Sequence, residues 1–101
     1  MPPRNKPAAY LTPLAYADLK KLPGNTRRQM IVAIDGLGKN SRPPNSKVLT
    51  IEGETREIRR LRAGEWRIIY AIIAERSIIL GIRRRPPYNY QDIHRLLGNI
   101  D

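Results

Sequence analysis

The sequence predicts an α+β domain with element order β-α-α-β-β-β-α: a mainly antiparallel sheet, a helical hairpin on one face and a C-terminal helix. Three observations lead there. Thr12-Pro13, Pro23-Gly24 and Gly38 punctuate two helices within the first 40 residues. Runs rich in Ile, Arg and aromatics, separated by turn signals, fill residues 55–84. After Arg85-Pro86-Pro87 the last apolar residues, Ile93, Leu96 and Leu97, return at helical spacing.

Ala8 to Leu11 reads as a short strand. Thr12 followed by Pro13 is a helix start, because threonine caps free N–H groups and proline suits the first helical position. That helix runs to about Leu22, with Ala15, Leu19 and Leu22 on one face. Pro23-Gly24 breaks it. Asn25 or Thr26 is the candidate cap of a second helix carrying Met30, Ile34 and Leu37, and Gly38 is its candidate C-terminal cap. So short a connection makes the two helices an antiparallel hairpin. Lys39 to Ser46 is a loop, and Lys47 to Ile51 a strand or an extended lead-in. Thr55 to Arg62, Trp66 to Ile73 and Ser77 to Arg84 are strands. Residues 89–98 are the closing helix, with Asn89 as its candidate cap.

The hairpin around Gly64 carries most of the argument. A two-residue II′ loop favours glycine at its first position. With Gly64-Glu65 as that loop, Ala63 faces Trp66, Arg62 faces Arg67 and Leu61 faces Ile68. Side chains alternate along a strand. Arg60, Arg62 and Arg67 therefore share one face, and Leu61, Trp66, Ile68 and Tyr70 share the other. A three-residue loop would move Arg67 to the opposite face.

The 101 residues make one domain, 8–101, preceded by a Pro-rich basic arm at 1–7. With no cysteine and one histidine, disulfides, thiolate metal sites and His-rich metal clusters are excluded. The longest apolar run, Ile68 to Ala74, has seven residues, against about 20 for a spanning helix. The N-terminal residues lack the apolar core of a secretory signal, so a cytoplasmic address and no membrane partner are expected. A formal charge of +10 points to a polyanionic partner.

The arginine face has two readings. Arginine grips phosphate through two parallel hydrogen bonds and stays charged at neutral pH, so the cluster suits a phosphate-binding surface. Alternatively these are solvated strand residues paired with Glu52, Glu57 or Glu65. Arg83-Arg84-Arg85 closes the next strand and extends the patch. Lys20, Lys21, Arg27 and Arg28 form a second basic group, which reads as a solvated or docking surface because nothing reactive accompanies it. Tyr88 and Tyr90 could stack on a base or assist proton transfer, or pack locally. His94 reads as a structural or exposed residue, and Trp66 as core.

The block Arg60-Leu61-Arg62-Ala63-Gly64-Glu65-Trp66-Arg67-Ile68-Ile69-Tyr70 resembles the R-L-R-x-G-x-[YW]-R-x-x-Y block of the RelE/ParE toxin superfamily. The Ala15–Pro23 segment, the loop before Lys47-Val48-Leu49, and the arginines followed by Tyr-x-Asp-Ile are also similar to that family. The resemblance implies the toxin of a type II toxin–antitoxin pair, with a cognate acidic antitoxin as partner. RelE-like members act on the ribosome and cut mRNA without metal or cofactor. The RNA 2′-OH attacks the adjacent phosphorus, giving a 2′,3′-cyclic phosphate and a 5′-OH. ParE-like members share the fold, poison DNA gyrase and cut no RNA.

Carried over by motif, Arg67 would clamp the scissile phosphate. Arg60 stands where the nucleases hold a basic residue, often lysine. Arg84, six residues before Tyr90, matches a family spacing, with Arg83 and Tyr88 as the alternative. Arg59, Arg62, Arg83, Arg85 and Tyr88 complete the RNA- and phosphate-contacting candidates. The departure is arginine at 60. Arginine is a poor proton acceptor, so Glu57, Tyr90 or Tyr88 becomes the candidate base.

Overall fold

The computed structural model describes residues 9–100. It contains β1 (Ala9–Leu11), α1 (Pro13–Lys20), α2 (Gly24–Lys39), β2 (Ser46–Val48), β3 (Glu57–Ala63), β4 (Trp66–Ile73), β5 (Arg76–Arg84) and α3 (Ile93–Leu97). One five-stranded sheet has the order β1-β5-β4-β3-β2. Only β1 runs parallel to its neighbour, β5; the other three pairings are antiparallel. The α+β architecture is the expected one. The arm at 1–7, Ala8 and Asp101 lie outside the described residues.

Several boundaries differ from expectation, each for a local reason. Thr12 does cap α1: its hydroxyl oxygen accepts the Ala15 N–H at 3.2 Å. Neither Asn25 nor Thr26 caps α2, because the helix already begins at Gly24, directly after Pro23. Proline fixes its own φ near the value a helix entrance needs, and the Pro23 carbonyl accepts the Arg27 N–H at 2.8 Å. Gly38 is not a cap either; it lies buried within α2, which runs to Lys39 with Asn40 as its C-terminal cap. The uncertain segment at 47–51 is a strand over Ser46–Val48, pairing with Arg59, Arg60 and Leu61. The closing helix is shorter than 89–98. Tyr90 has a φ of 66°, which an α-helix cannot contain, and Asn89 holds the Gln91 N–H rather than capping a helix.

Two apolar clusters sandwich the sheet. Ala15, Leu22, Met30, Ile34 and Leu37 of the helical hairpin pack on Leu61, Ile68, Tyr70, Ile72, Ile79 and Ile82, with Trp66 against them. On the other face Ile93, Leu96 and Leu97 cover Ile58, Ile69, Ala71 and Leu80. An irregularity between Ile69 and Tyr70 places Ile69 opposite Gly81 and Tyr70 opposite Ile79. Leu80 is thus the extra residue of a bulge, which frees it to join the second cluster. Gly81 allows close packing there: a Cβ would sit 3.2 Å from Leu96 Cδ1 and from Arg83 Nη1, so those side chains would have to give way. The short α3 covers only part of its face, and the arginines occupy the end near the β3–β4 turn.

Candidate functional site

The β3–β4 hairpin has the register that the two-residue turn dictates. Ala63 pairs with Trp66, Arg62 with Arg67 and Leu61 with Ile68. Gly64 takes the positive φ, 63°, that such a turn asks of its first residue. Arg60, Arg62 and Arg67 therefore share the face that α3 covers only in part. None of the three has a carboxylate within ion-pair distance among the described residues. Glu57 and Glu65 pair with other arginines, so the solvated ion-pair reading does not hold for this trio.

Arg67 is the centre of the group. It is half-buried, and its Nη1 donates to the Gly64 and Trp66 carbonyls, each at 3.0 Å. Its Nε–H is buried with no partner. Burial, then the charges of Arg60 and Arg62, push the guanidinium below its ordinary pKa; Arg85 adds to this and Tyr90 opposes it. Four cations thus press together with one donor left unsatisfied, an arrangement that an incoming anion relieves.

The triple arginine divides into three roles. Arg83 stands opposite Arg67 in the β4–β5 register, but it is consumed structurally. It donates to Asp18 of α1 and, at 2.8 and 3.2 Å, to Asp92. Tyr88 donates its hydroxyl to the same carboxyl at 2.6 Å, and burial together with Asp92 pushes the Tyr88 phenol well up. A phenol so held is a poor proton shuttle, so the Arg83–Tyr88 alternative braces the site instead of lining it. Arg84 faces the other way, opposite Trp66, and forms an exposed pair with Glu65 at 2.6 Å. Arg85, past the strand end, lies near Arg67, with its guanidinium carbon 5.5 Å from the Tyr90 ring centre. The Tyr88 and Tyr90 rings pack at 4.6 Å, tilted by 59°.

Glu57 and Arg59 are not brought to the cluster. The alternation that unites Arg60 with Arg62 puts Glu57 and Arg59 on the opposite face of β3. There Glu57 accepts from Arg42 at 2.7 and 3.0 Å and from Arg59 at 2.9 Å. The Arg42 hydrogen bond, with that of Arg59, holds its carboxyl below the usual range. Such a carboxylate makes a weak base, and its position keeps it from Arg67. The same alternation could have excluded it from the sequence. The assembled set is Arg60, Arg62, Arg67, Arg85 and Tyr90. Lys20, Lys21, Arg27 and Arg28 are exposed around the helical turn, where Arg27 donates to the Leu22 carbonyl at 2.9 Å. His94 is exposed on α3. No group of three metal-ligating side chains is present among the described residues, and none of the described helices is long and apolar enough to cross a membrane.

The chain is similar in fold to several solved toxins. It superposes on RelE in the RelE–RelB complex from Pyrococcus horikoshii with a TM-score of 0.69 at 20% identity, covering 82% of this chain and 99% of that one. The RelBE2 toxin–antitoxin complex from Mycobacterium tuberculosis gives 0.67 at 24%, covering 79% and 99%. The isolated E. coli RelE toxin gives 0.60 at 14%, covering 94% and 99%. No curated protein sequence matches the chain. The family model for the ParE toxin of type II toxin–antitoxin systems matches residues 9–86, a span that includes the hairpin, Arg67 and Arg85. The chain belongs to that family, within the RelE/ParE superfamily of type II toxins.

Proposed function

We propose that this toxin is a ribosome-dependent mRNA endoribonuclease whose arginine face holds the scissile phosphate. The observation that carries the reading is the buried, unpartnered Nε of Arg67 amid Arg60, Arg62 and Arg85. In this reaction the RNA 2′-oxygen forms a bond to phosphorus as the bond to the 5′-oxygen breaks. The 2′-OH proton leaves to a base and the departing 5′-oxygen gains one, so no outside reactant is consumed. Arg67 and its neighbours stabilise the charge that builds on the phosphorane oxygens. Tyr90, whose ring lies beside Arg85, is the proton-transfer residue of this proposal. A cognate acidic antitoxin neutralises the toxin by covering this cationic face, and both act in the cytoplasm. Primer extension on ribosomes carrying a defined mRNA tests the reading: position-specific breaks support it, and intact message overturns it.

A second reading has its own observation. The arginine cluster holds no carboxylate within ion-pair distance of Arg60, Arg62 or Arg67 among the described residues, its neighbouring amine is the exposed Lys47 opposite Arg60, and the matching family model is that of ParE. A face that binds anions without a carboxylate base suits a DNA gyrase inhibitor without nuclease activity. Accumulation of gyrase-cleaved DNA with uncut message is its signature.

A further inference from the structure

A cavity of about 360 Å³ opens on the α3 side of the sheet, lined by Leu49, Thr50, Ile51, Glu52, Tyr90 and Ile93. Tyr90 lines this cavity and also carries the Arg85 guanidinium over its ring, so the cavity adjoins the arginine cluster at that residue. The walls are apolar, while Thr50 and Glu52 supply polar atoms. Glu52 is exposed and has no hydrogen bond or ion pair among the described residues. It is an idle carboxylate in a chain where arginine outnumbers it heavily.

We propose that this cavity is a base-reading subsite selective for guanine, with Glu52 as its specificity-determining residue. The inference rests on the reading that RNA phosphate sits on Arg67 and Arg85. An adjoining base then falls beside Tyr90, which forms part of the cavity wall. An ionised carboxylate only accepts hydrogen bonds, through two oxygens side by side. Guanine alone among the four RNA bases presents two adjacent donors, N1–H and the 2-amino group, on its pairing edge. Adenine and cytosine set an amino group beside an acceptor nitrogen, which the carboxylate repels. Uracil sets one N–H between two carbonyls. The Thr50 hydroxyl can donate to the guanine 6-oxygen, the remaining acceptor on that edge. A bidentate pair of this kind discriminates by about tenfold or more.

The test is titration of the full chain with 5′-GMP, 5′-AMP, 5′-CMP, 5′-UMP and inorganic phosphate, followed by NMR. GMP is expected to bind about tenfold tighter than UMP and to shift the methyl signals of Leu49 and Ile93. Glu52→Gln, an exposed and isosteric change, is expected to erase that preference while leaving phosphate binding intact. Nucleotides that bind alike, or no better than phosphate, overturn the proposal; so does an unchanged preference in Glu52→Gln. The nuclease reading fails separately. Message left intact on programmed ribosomes, with guanine selectivity present, removes the cleavage and keeps the base-reading subsite.

Discussion

Replacing Arg67 by alanine should separate toxicity from folding. The substitution removes two hydrogen bonds to backbone carbonyls, at Gly64 and Trp66. Bonds from a charged donor contribute roughly 1.5–3 kcal/mol each when fully buried. Gly64 is exposed in the turn, however, and water replaces the lost donor there. The change also removes a buried unpartnered N–H, which costs about 1–3 kcal/mol, and relieves repulsion from Arg60, Arg62 and Arg85. These terms oppose one another, and the net is within about 1 kcal/mol, or roughly 4–8 °C in Tm at this chain length. On the reaction side, losing a charged donor aimed at a transition state costs roughly 3 kcal/mol, about a hundredfold in rate. Thermal melting, co-purification with the antitoxin and growth inhibition under graded induction measure the three consequences. Arg67→Ala should fold, bind antitoxin and lose most toxicity. Arg67→Lys should regain only part, since a point charge cannot make the two-pronged contact. An unfolded Arg67→Ala would show that the guanidinium braces the hairpin. A fully toxic one would place the active surface elsewhere.

Three further outcomes follow from the same geometry. Arg84→Ala should leave toxicity intact and stability within about 0.5 kcal/mol, because an exposed ion pair contributes little; Arg85→Ala should lower toxicity, and the reverse order in growth assays would refute the division of roles. Ala74 and Glu75 occupy the β4–β5 turn with φ of 53° and 62°, a conformation costly for side chains, so Ala74→Asn with Glu75→Gly should stabilise by about 1 kcal/mol, and a lowered Tm would contradict that. Glu54 is held at about 2 by hydrogen bonds from Arg56, Glu57 is depressed by Arg42, and in Asp92 burial is outweighed by bonds from Tyr88 and Arg83. Carboxyls depressed in the folded state stabilise it above their unfolded pKa and lose that contribution as pH falls through the folded one. Melting should therefore be flat from pH 7 to about 5 and decline between about 4 and 2; a decline beginning above pH 5 would show another group in control.

What the sequence made legible was local. A glycine at the first position of a two-residue turn, with strict alternation on both sides, determines the pairing of Arg62 with Arg67 and hence the cationic face. Thr12-Pro13 likewise marks the start of α1 without tertiary information. The brace behind the site was hidden because it is non-local: Arg83 meets Asp18 of α1, 65 positions away, and Asp92 beyond the last strand. Only those partners separate Arg83, held by two carboxylates, from Arg85, which the sequence had offered beside it as an equal candidate. Arg67 read as a solvent-facing strand residue. In the fold it is half-buried, close enough to Tyr90 to feel that phenol, and the chain path there includes a positive φ at Tyr90 that no periodicity encodes. Glu57 was different, since the alternation that joined Arg60 to Arg62 already placed it on the far face.

The central claim is that the Arg67-centred face holds an RNA phosphate while the RNA's own 2′-OH attacks it. Primer extension on ribosomes programmed with one defined mRNA, wild type against Arg67→Ala, measures this most directly. The account predicts position-specific breaks bearing a 2′,3′-cyclic phosphate with the wild-type toxin, reduced about a hundredfold by the substitution. Intact message under the wild-type toxin, with gyrase-cleaved DNA accumulating in the same cells, would contradict it.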